Sequence, residues 1–266
     1  MELGLKGKVV LVTGSSKGIG HSIAAAFGRE GCQVVINGRT VKELEATAAE
    51  MRLENATVHA VVADVTKAEG AKKVIEETVR HFGTIHVVVN NAGGVSRFAA
   101  FEELTDEEWL SAFQLNVMSA VRVSRAALPH MQKQKWGRII NISSESGVQP
   151  DAIMPHYNAS KAAINNLTKS LSKSYGKDGI LVNTVSPAFV RTPLVNGMLG
   201  EQAKAKGISL DEAEKVMLRE FRPNILLGRA GQPDEIGGIV VFLASEQASF
   251  ITGSNFRVDG GSVASV

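Results

Sequence analysis

The sequence predicts an α/β fold: a doubly wound parallel sheet with helices packed on both faces. Short runs of β-branched residues alternate with longer amphipathic stretches from one end of the chain to the other. That is the pattern of β-α-β units whose strands are buried on both sides. The first apolar run, Lys8-Val9-Val10-Leu11-Val12-Thr13, passes through a glycine-rich turn into the helical stretch around Ile23-Ala24-Ala25-Ala26-Phe27. No internal repeat and no linker divides the 266 residues, a length that suits one α/β domain with a sizeable core. Residues 1–266 are therefore expected to form a single domain.

The elements follow in order. Lys8–Thr13 is a buried strand ending in a turn. Gln33–Asn37 is the second strand, and Thr40–Leu53, rich in alanine and glutamate, is a helix. Val58–Val62 is the third strand, then comes a helix from about Lys67 to Phe82, and His86–Asn90 is the fourth strand. Thr105-Asp106-Glu107-Glu108 sets a capping threonine before three acids, which starts a helix. That helix runs to about Gln132 with a break near Asn116. Trp136-Gly137 turns the chain into the strand Arg138–Ile142. The helix Tyr157–Tyr175 is expected to close on Gly176 as its C-cap. Ile180–Ser186 is the sixth strand. Pro233-Asp234-Glu235 opens a late helix, to about Leu243, with proline in its first turn. Asn255–Val258 is the last strand.

Pro187 to Gly228 is long for a connection and carries one helical segment, about Asp211 to Arg219. Long connections at the C-terminal edge of a parallel sheet usually cover the active site. Phe189, Leu194, Val195, Met198 and Leu199 would supply apolar side chains to this substrate lid.

The turn after the first strand reads Gly14-Ser15-Ser16-Lys17-Gly18-Ile19-Gly20. Glycines there let the backbone approach a pyrophosphate, and the following helix N-terminus offers N–H groups and a favourable dipole. The sheet is thus expected to be Rossmann-type, although the spacing is G-x-x-x-G-x-G rather than G-x-G-x-x-G. The second strand ends Ile36-Asn37-Gly38-Arg39, with no acid to accept from the ribose hydroxyls of NAD(H) or to repel a 2′-phosphate. Arg39 can clamp that phosphate through its planar fork, and Lys17 adds a second positive charge. NADP(H) is the expected cofactor, with NAD(H) possible.

Tyr157 and Lys161 lie four apart, with Ser144 thirteen positions upstream. On a helix, residues i and i+4 share a face. An ammonium about 4 Å from a phenol at an effective dielectric near 20 favours the phenolate by about 4 kcal/mol. Lys161 is therefore expected to draw the Tyr157 pKa down, suiting it to exchange a proton with an alcohol or ketone. Y-x-x-x-K also occurs as an ordinary helix turn, so the company it keeps decides its meaning. Ser143 competes with Ser144 for the role of oxygen-binding hydroxyl.

Taken together, these residues resemble the short-chain dehydrogenase/reductase family over essentially the whole chain, and within it 3-oxoacyl-carrier-protein-reductase-like members. Thr13 to Gly20 resembles that family's TGxxxGxG turn, and Asn90-Asn91-Ala92-Gly93 its NNAG element. The resemblance implies a catalytic set of Asn116, Ser144, Tyr157 and Lys161. Asn116 would hold a relay water, and Lys161 would also bind the nicotinamide ribose. It implies cofactor contacts from Gly14, Ser16, Lys17, Gly18, Ile19 and Gly20 in the turn, and from Arg39, Asp64, Val65, Asn91, Ala92 and Gly93 beyond it. Tyr157, Lys161, Pro187, Val190 and Thr192 complete the cofactor set. Substrate contacts are expected from Ser144, Ser146, Gln149 and Tyr157, within a pocket that Val95, Ile153, Met154, His156 and Phe189 help to line. The family implies a homo-oligomer, most simply a tetramer pairing through its long helices, with Phe113, Val117, Val121 and Ile164 candidates for core or interface. Ser186-Pro187-Ala188 departs from the family's usual Pro-Gly and leaves the local backbone path open. The expected reaction is hydride transfer between nicotinamide and a carbonyl or secondary alcohol. A 3-oxoacyl-thioester reductase, a polyol, sugar or hydroxysteroid dehydrogenase, and a cofactor-binding regulator without turnover are the alternatives.

The remaining composition narrows partners. A net charge of +2 with scattered Lys and Arg gives no footprint for nucleic acid. Lys133-Gln134-Lys135 reads as a solvated helix end. The single Cys32 excludes an internal disulfide, and the six histidines show no metal-ligand spacing. The opening residues lack a signal layout, and no apolar run reaches membrane-spanning length. A cytoplasmic protein is the expectation.

Overall fold

The computed structural model describes residues 2–265. Seven parallel strands form one sheet among the described residues: β1 (Val9–Val12), β2 (Gln33–Gly38), β3 (Thr57–Val62), β4 (Val87–Asn90), β5 (Gly137–Ile142), β6 (Ile180–Pro187) and β7 (Asn255–Val258). Their order is β3-β2-β1-β4-β5-β6-β7. The chain winds outward through β2 and β3, then crosses back to place β4 on the other side of β1. That reversal opens a crevice at the C-terminal ends of β1 and β4, where ligands of such sheets bind.

Alternation along each strand builds two cores. Val10 and Val12 face α1 (Gly18–Arg29), α2 (Val41–Leu53) and α9 (Pro233–Ala244), through Phe27, Leu44, Met51 and Val240. Leu11, Val35, Val88, Ile139 and Val182 face α3 (Ala68–Phe82) and α5 (Ser119–Gln134), through Val74, Ile75, Val123 and Met131. Both faces of every central strand are buried, which is why those strands read as unbroken apolar runs.

Most boundaries fall within a residue or two of expectation, the expected break near Asn116 is present, and one helix is unexpected. The break near Asn116 is a π-helical turn, Gln114–Met118, between α4 (Asp106–Phe113) and α5. The helix α6 (Pro155–Tyr175) ends at its C-cap Gly176 as expected, although that cap is not left-handed. Gly176 keeps helical φ (−58°), and the chain runs through one 3₁₀ turn to Gly179, which has φ 75°. A Cβ on Gly179 would lie 2.3 Å from the Lys135 carbonyl oxygen, so glycine is needed there instead. The lid region holds two helices rather than one: α7 (Pro193–Lys206) precedes α8 (Leu210–Phe221). Gly197 and Gly200 interrupt the apolar stripe of α7 and hide it from periodicity. Its start is nonetheless well signalled, with Thr192 accepting from the Val195 N–H at 3.3 Å and proline in the first turn.

Leu199, Ala203 and Ala213 form a small separate core between α7 and α8. Leu199 therefore packs between α7 and α8, whereas Leu194 is largely exposed. Ile164 belongs to the core, while Phe113, Val117 and Val121 are only partly covered. Ala188 settles the Pro-Ala departure: its N–H donates to the Val258 carbonyl at 3.3 Å, and its φ is not left-handed, so no glycine is required. Lys135 caps α5 in the left-handed region and pairs with Asp178 at 3.0 Å.

Gly70, in the first turn of α3, is where helix and crevice meet. A Cβ there would lie 2.0 Å from the backbone oxygen of Asp64. Gly70→Ala is expected to push α3 off the end of β3 at a cost of about 1–3 kcal/mol. Thermal unfolding would read this as a Tm drop of several degrees; an unchanged Tm would refute the tight packing.

Candidate active site

A cleft of about 1580 Å³, open mouth included, runs along the C-terminal ends of the central strands. Its floor is the glycine turn. Gly14 and Gly18 hold φ of 62° and 61°, and a Cβ on Gly20 would stand 2.4 Å from both the Gly14 oxygen and Asn91 Nδ2. The Asn91 side chain donates to the Thr13 and Gly14 carbonyls, each at 2.9 Å. Thr13 Oγ1 accepts from the N–H groups of Asn91 and Ala92 at 3.1 and 3.0 Å. Asn91 thus acts as a brace that joins β4 to the turn. No side chain caps α1, so its first N–H groups remain available to an anion. The bare, glycine-shaped cradle fits a dinucleotide pyrophosphate.

Arg39 and Asp64 stand at one end of the cleft. Asp64 accepts from the Thr66 N–H and hydroxyl at 3.0 and 2.7 Å. Burial raises its pKa, but those two bonds and the charges of Arg39 and Lys67 outweigh it, so the carboxyl sits below its usual range. Lys17 lines the same end but pairs with Glu43 at 3.6 Å. Its charge is partly offset, and Arg39 is left as the stronger candidate for a phosphate.

At the other end stand Ser144, Tyr157 and Lys161. The Ser143 hydroxyl donates to the Lys161 carbonyl at 3.0 Å, fastening α6 to the sheet. Ser144, whose oxygen accepts from the Ser146 N–H at 3.1 Å, is then the hydroxyl left for a substrate oxygen. Asn116 is buried, and a Cβ on Gly93 would meet its Oδ1 at 2.7 Å and Lys161 Nζ at 3.2 Å. The four expected catalytic residues therefore converge. Asn116 uses its side chain locally: Nδ2 donates to the Gly94 and Ala112 carbonyls, and Oδ1 accepts from the Gly94 N–H.

The expected electrostatics need correction. Tyr157 has its pKa raised, not lowered, because burial outweighs the opposing pull of Ser144. Lys161 Nζ lies 5.5 Å from the centre of the phenol ring and donates to the Ile142 carbonyl at 2.9 Å. It is too occupied and too far to act as the assumed close counter-charge. Burial lowers its own pKa to about 8.

Several expected residues lie off the cleft. Val190 is buried and bridges to Gly231. Ser146 is buried behind Ser144. Gln149 is turned to the C-terminal segment, donating to the Ser262 carbonyl and accepting from the Ala264 N–H, both at 3.2 Å. His156 is fully buried, edge-on to Trp109 at 6.2 Å, with neither ring nitrogen hydrogen-bonded. Phe189 lines a separate hollow with Ile225 and Leu227. Val95, Ile153 and Met154 do not line the cleft either. Thr13, by contrast, matters more than its place in a motif suggests. So do Asn90 and Asn141, which are hydrogen-bonded at 2.8 Å beneath the site. Their signal was available in principle: asparagine inside an apolar strand must have a partner.

The comparisons with known proteins agree with this geometry. The family described as enoyl-(acyl carrier protein) reductase matches residues 14–263. The chain is 36% identical over 259 residues to a 3-oxoacyl-[acyl-carrier-protein] reductase of Pseudomonas aeruginosa, covering 97% of this chain and 98% of that protein. It is 34% identical over 262 residues to D-beta-hydroxybutyrate dehydrogenase of Cupriavidus necator, covering 98% and 99%. L-sorbose reductase from Gluconobacter frateurii, solved in complex with NADPH and L-sorbose, superposes with a TM-score of 0.95 at 35% identity over the whole of both chains. The chain belongs to the short-chain dehydrogenase/reductase family and is an oxidoreductase of hydroxyl and carbonyl groups.

Proposed function

We propose that this enzyme reduces a ketone to a secondary alcohol with NADPH, Tyr157 giving the proton. The observation that carries the reading is the convergence of Ser144, Tyr157, Lys161 and Asn116 at one end of a cleft whose other end holds Arg39. A bound nicotinamide supplies the hydride; this chain's residues do the rest. The Ser144 hydroxyl steadies the carbonyl oxygen as charge develops on it. Tyr157 donates its proton to that oxygen. Burial keeps the phenol protonated at neutral pH, which suits reduction; the reverse oxidation needs phenolate and gains as pH rises. Lys161, held on the Ile142 carbonyl, is placed to restore the proton and to bind a ribose hydroxyl. Asn116, with its amide hydrogens engaged, serves by holding the loop of Gly93 and Gly94, and a relay water would meet its remaining acceptors.

The relatives' names span a thioester, a hydroxy acid and a ketose, so L-sorbose and 3-oxobutyrate head the assay panel. Tyr157→Phe should fold and bind NADPH normally but lose about 10²–10⁴-fold in kcat, the contribution of a positioned general acid. Near-normal kcat with a turned-over ketone would discard the mechanism.

Cofactor preference rests on Arg39. At the end of β2 it faces the crevice with no acid beside it on that strand. A bidentate guanidinium–phosphate contact is a strong charge-assisted pair. Wild type should prefer NADPH over NADH in kcat/KM, and Arg39→Ala should erode the preference by at least about tenfold, equivalent to roughly 1.4 kcal/mol. A preference untouched by that substitution would remove Arg39 from the role.

The half-covered row Phe113, Val117 and Val121, spaced one helical turn apart along the α4–α5 rod, supports self-association as a homotetramer. Light scattering at micromolar concentration that gave a monomer would end this part of the proposal.

A further inference from the structure

Arg222 closes α8, near the end of the 187–228 segment. Its guanidinium reaches back to the loop that follows Ser144. Nε lies 3.3 Å from Glu145 Oε1, and Nη2 lies 2.8 Å from Asp151 Oδ2. Glu145 is almost wholly buried, and its second oxygen has no hydrogen-bond partner. A carboxylate taken out of water in this way depends on its counter-charge. The pairs of Arg191 with Asp211 and Glu214 lie within the segment, and Glu214 also accepts from the Ala230 N–H just beyond it. Arg222 instead ties the segment to the loop after Ser144. The loop it grips is held from two other sides, by Gln149 on the C-terminal residues and by Asn158 of α6 on the Asp151 carbonyl.

We propose, on the reading that Tyr157 transfers the proton, that Arg222 is a positioning residue: it docks the lid onto the Ser144 loop and neutralises Glu145 beside the phenol. The charges around Tyr157 support this. Burial and Glu145 hold the proton on, whereas Ser144 and Arg222 favour its release. Lys161 is engaged with Ile142, and His156 is kept neutral chiefly by burial, against the pull of Glu108. Glu145 in turn has its pKa raised by burial, eased by Ser262 and Arg222, and raised further by Asp151 and Asp259. Lifting the lid takes Arg222 away and leaves the neighbouring carboxylate uncompensated. Lid position and proton affinity are thereby coupled.

The chain has two tyrosines, Tyr157 and Tyr175. The ultraviolet tyrosinate signal of each variant, minus that of the same variant carrying Tyr157→Phe, therefore reports Tyr157 alone. Arg222→Met should move the Tyr157 midpoint to higher pH, and Arg222→Lys should leave it near wild type. Glu145→Gln should lower it, and the double substitution should return it towards wild type. Arg222→Met should also make the 193–221 stretch several-fold more susceptible to limited proteolysis, since a low-stability segment has lost its anchor. Unmoved midpoints in Arg222→Met and Glu145→Gln would overturn the proposal. If Arg222→Met fails to fold, Glu145→Gln decides alone: a midpoint that does not fall rejects it. An active Tyr157→Phe would sink the proton-transfer reading, whereas an inactive Tyr157→Phe with unmoved midpoints would sink only the role of Arg222.

Discussion

The site depends on one junction, where α6 is fastened to the end of β5. Lys161 donates from its ammonium to the Ile142 carbonyl, and Ser143 donates to the Lys161 carbonyl. These bonds cross between the same two elements in opposite directions. Together they fix the rotation of α6 about its axis and therefore the direction of Tyr157. Side-chain clamps of this kind hold a reacting group within the tolerance that catalysis needs. Ser144 lies only two residues beyond Ile142, the last residue of the strand, so sheet, helix and hydroxyl share one frame.

Beneath the junction lies a polar ladder in an otherwise apolar core. Asn90 donates to Asn141 and to Ser124, Asn141 donates to Thr168, and Thr184 donates to the same threonine, all at 2.7–2.9 Å. Buried polar groups cost free energy unless paired, and paired ones specify a single arrangement. The ladder links β4, β5, β6 and α6, so the registers of three strands and the height of α6 are set together. Asn91, next along, braces the glycine turn, which carries the same rigidity to the cofactor end.

The fold was legible because burial on both faces of the sheet imposes unbroken β-branched runs, and β7 lies where Asn255–Val258 indicated. The residues lining the cleft were legible for a related reason. Glycines at Gly14, Gly18 and Gly20 answer backbone demands that no other residue meets, and such demands leave a mark in sequence. Contacts made by side chains far apart in the chain leave none. The turning of Gln149 to Ser262, the burial of Val190 and the reach of Arg222 to Glu145 depend on loop paths that periodicity does not encode. Helix α7 was hidden by its own glycines, and the need for glycine at Gly179 comes from the Lys135 carbonyl, distant in the chain.

The proton affinity of Tyr157 shows where motif reasoning stops. Spacing places a lysine on the same helical face, and a close ammonium would favour phenolate. Spacing says nothing about what else the lysine touches or how dry the site is. Here burial acts on both groups and favours the neutral form of each, raising the phenol and bringing the ammonium down to about 8. The two shifts carry nearly equal ordinary pKa values apart, so Tyr157 holds its proton the more tightly and the Lys161 ammonium gives its own up the more readily. Return of a proton from that ammonium to a phenolate at Tyr157 therefore runs downhill, the direction that a phenol acting as general acid needs for its reset. Desolvation opposes the shift that sequence spacing assigned to charge, and the spacing serves geometry instead.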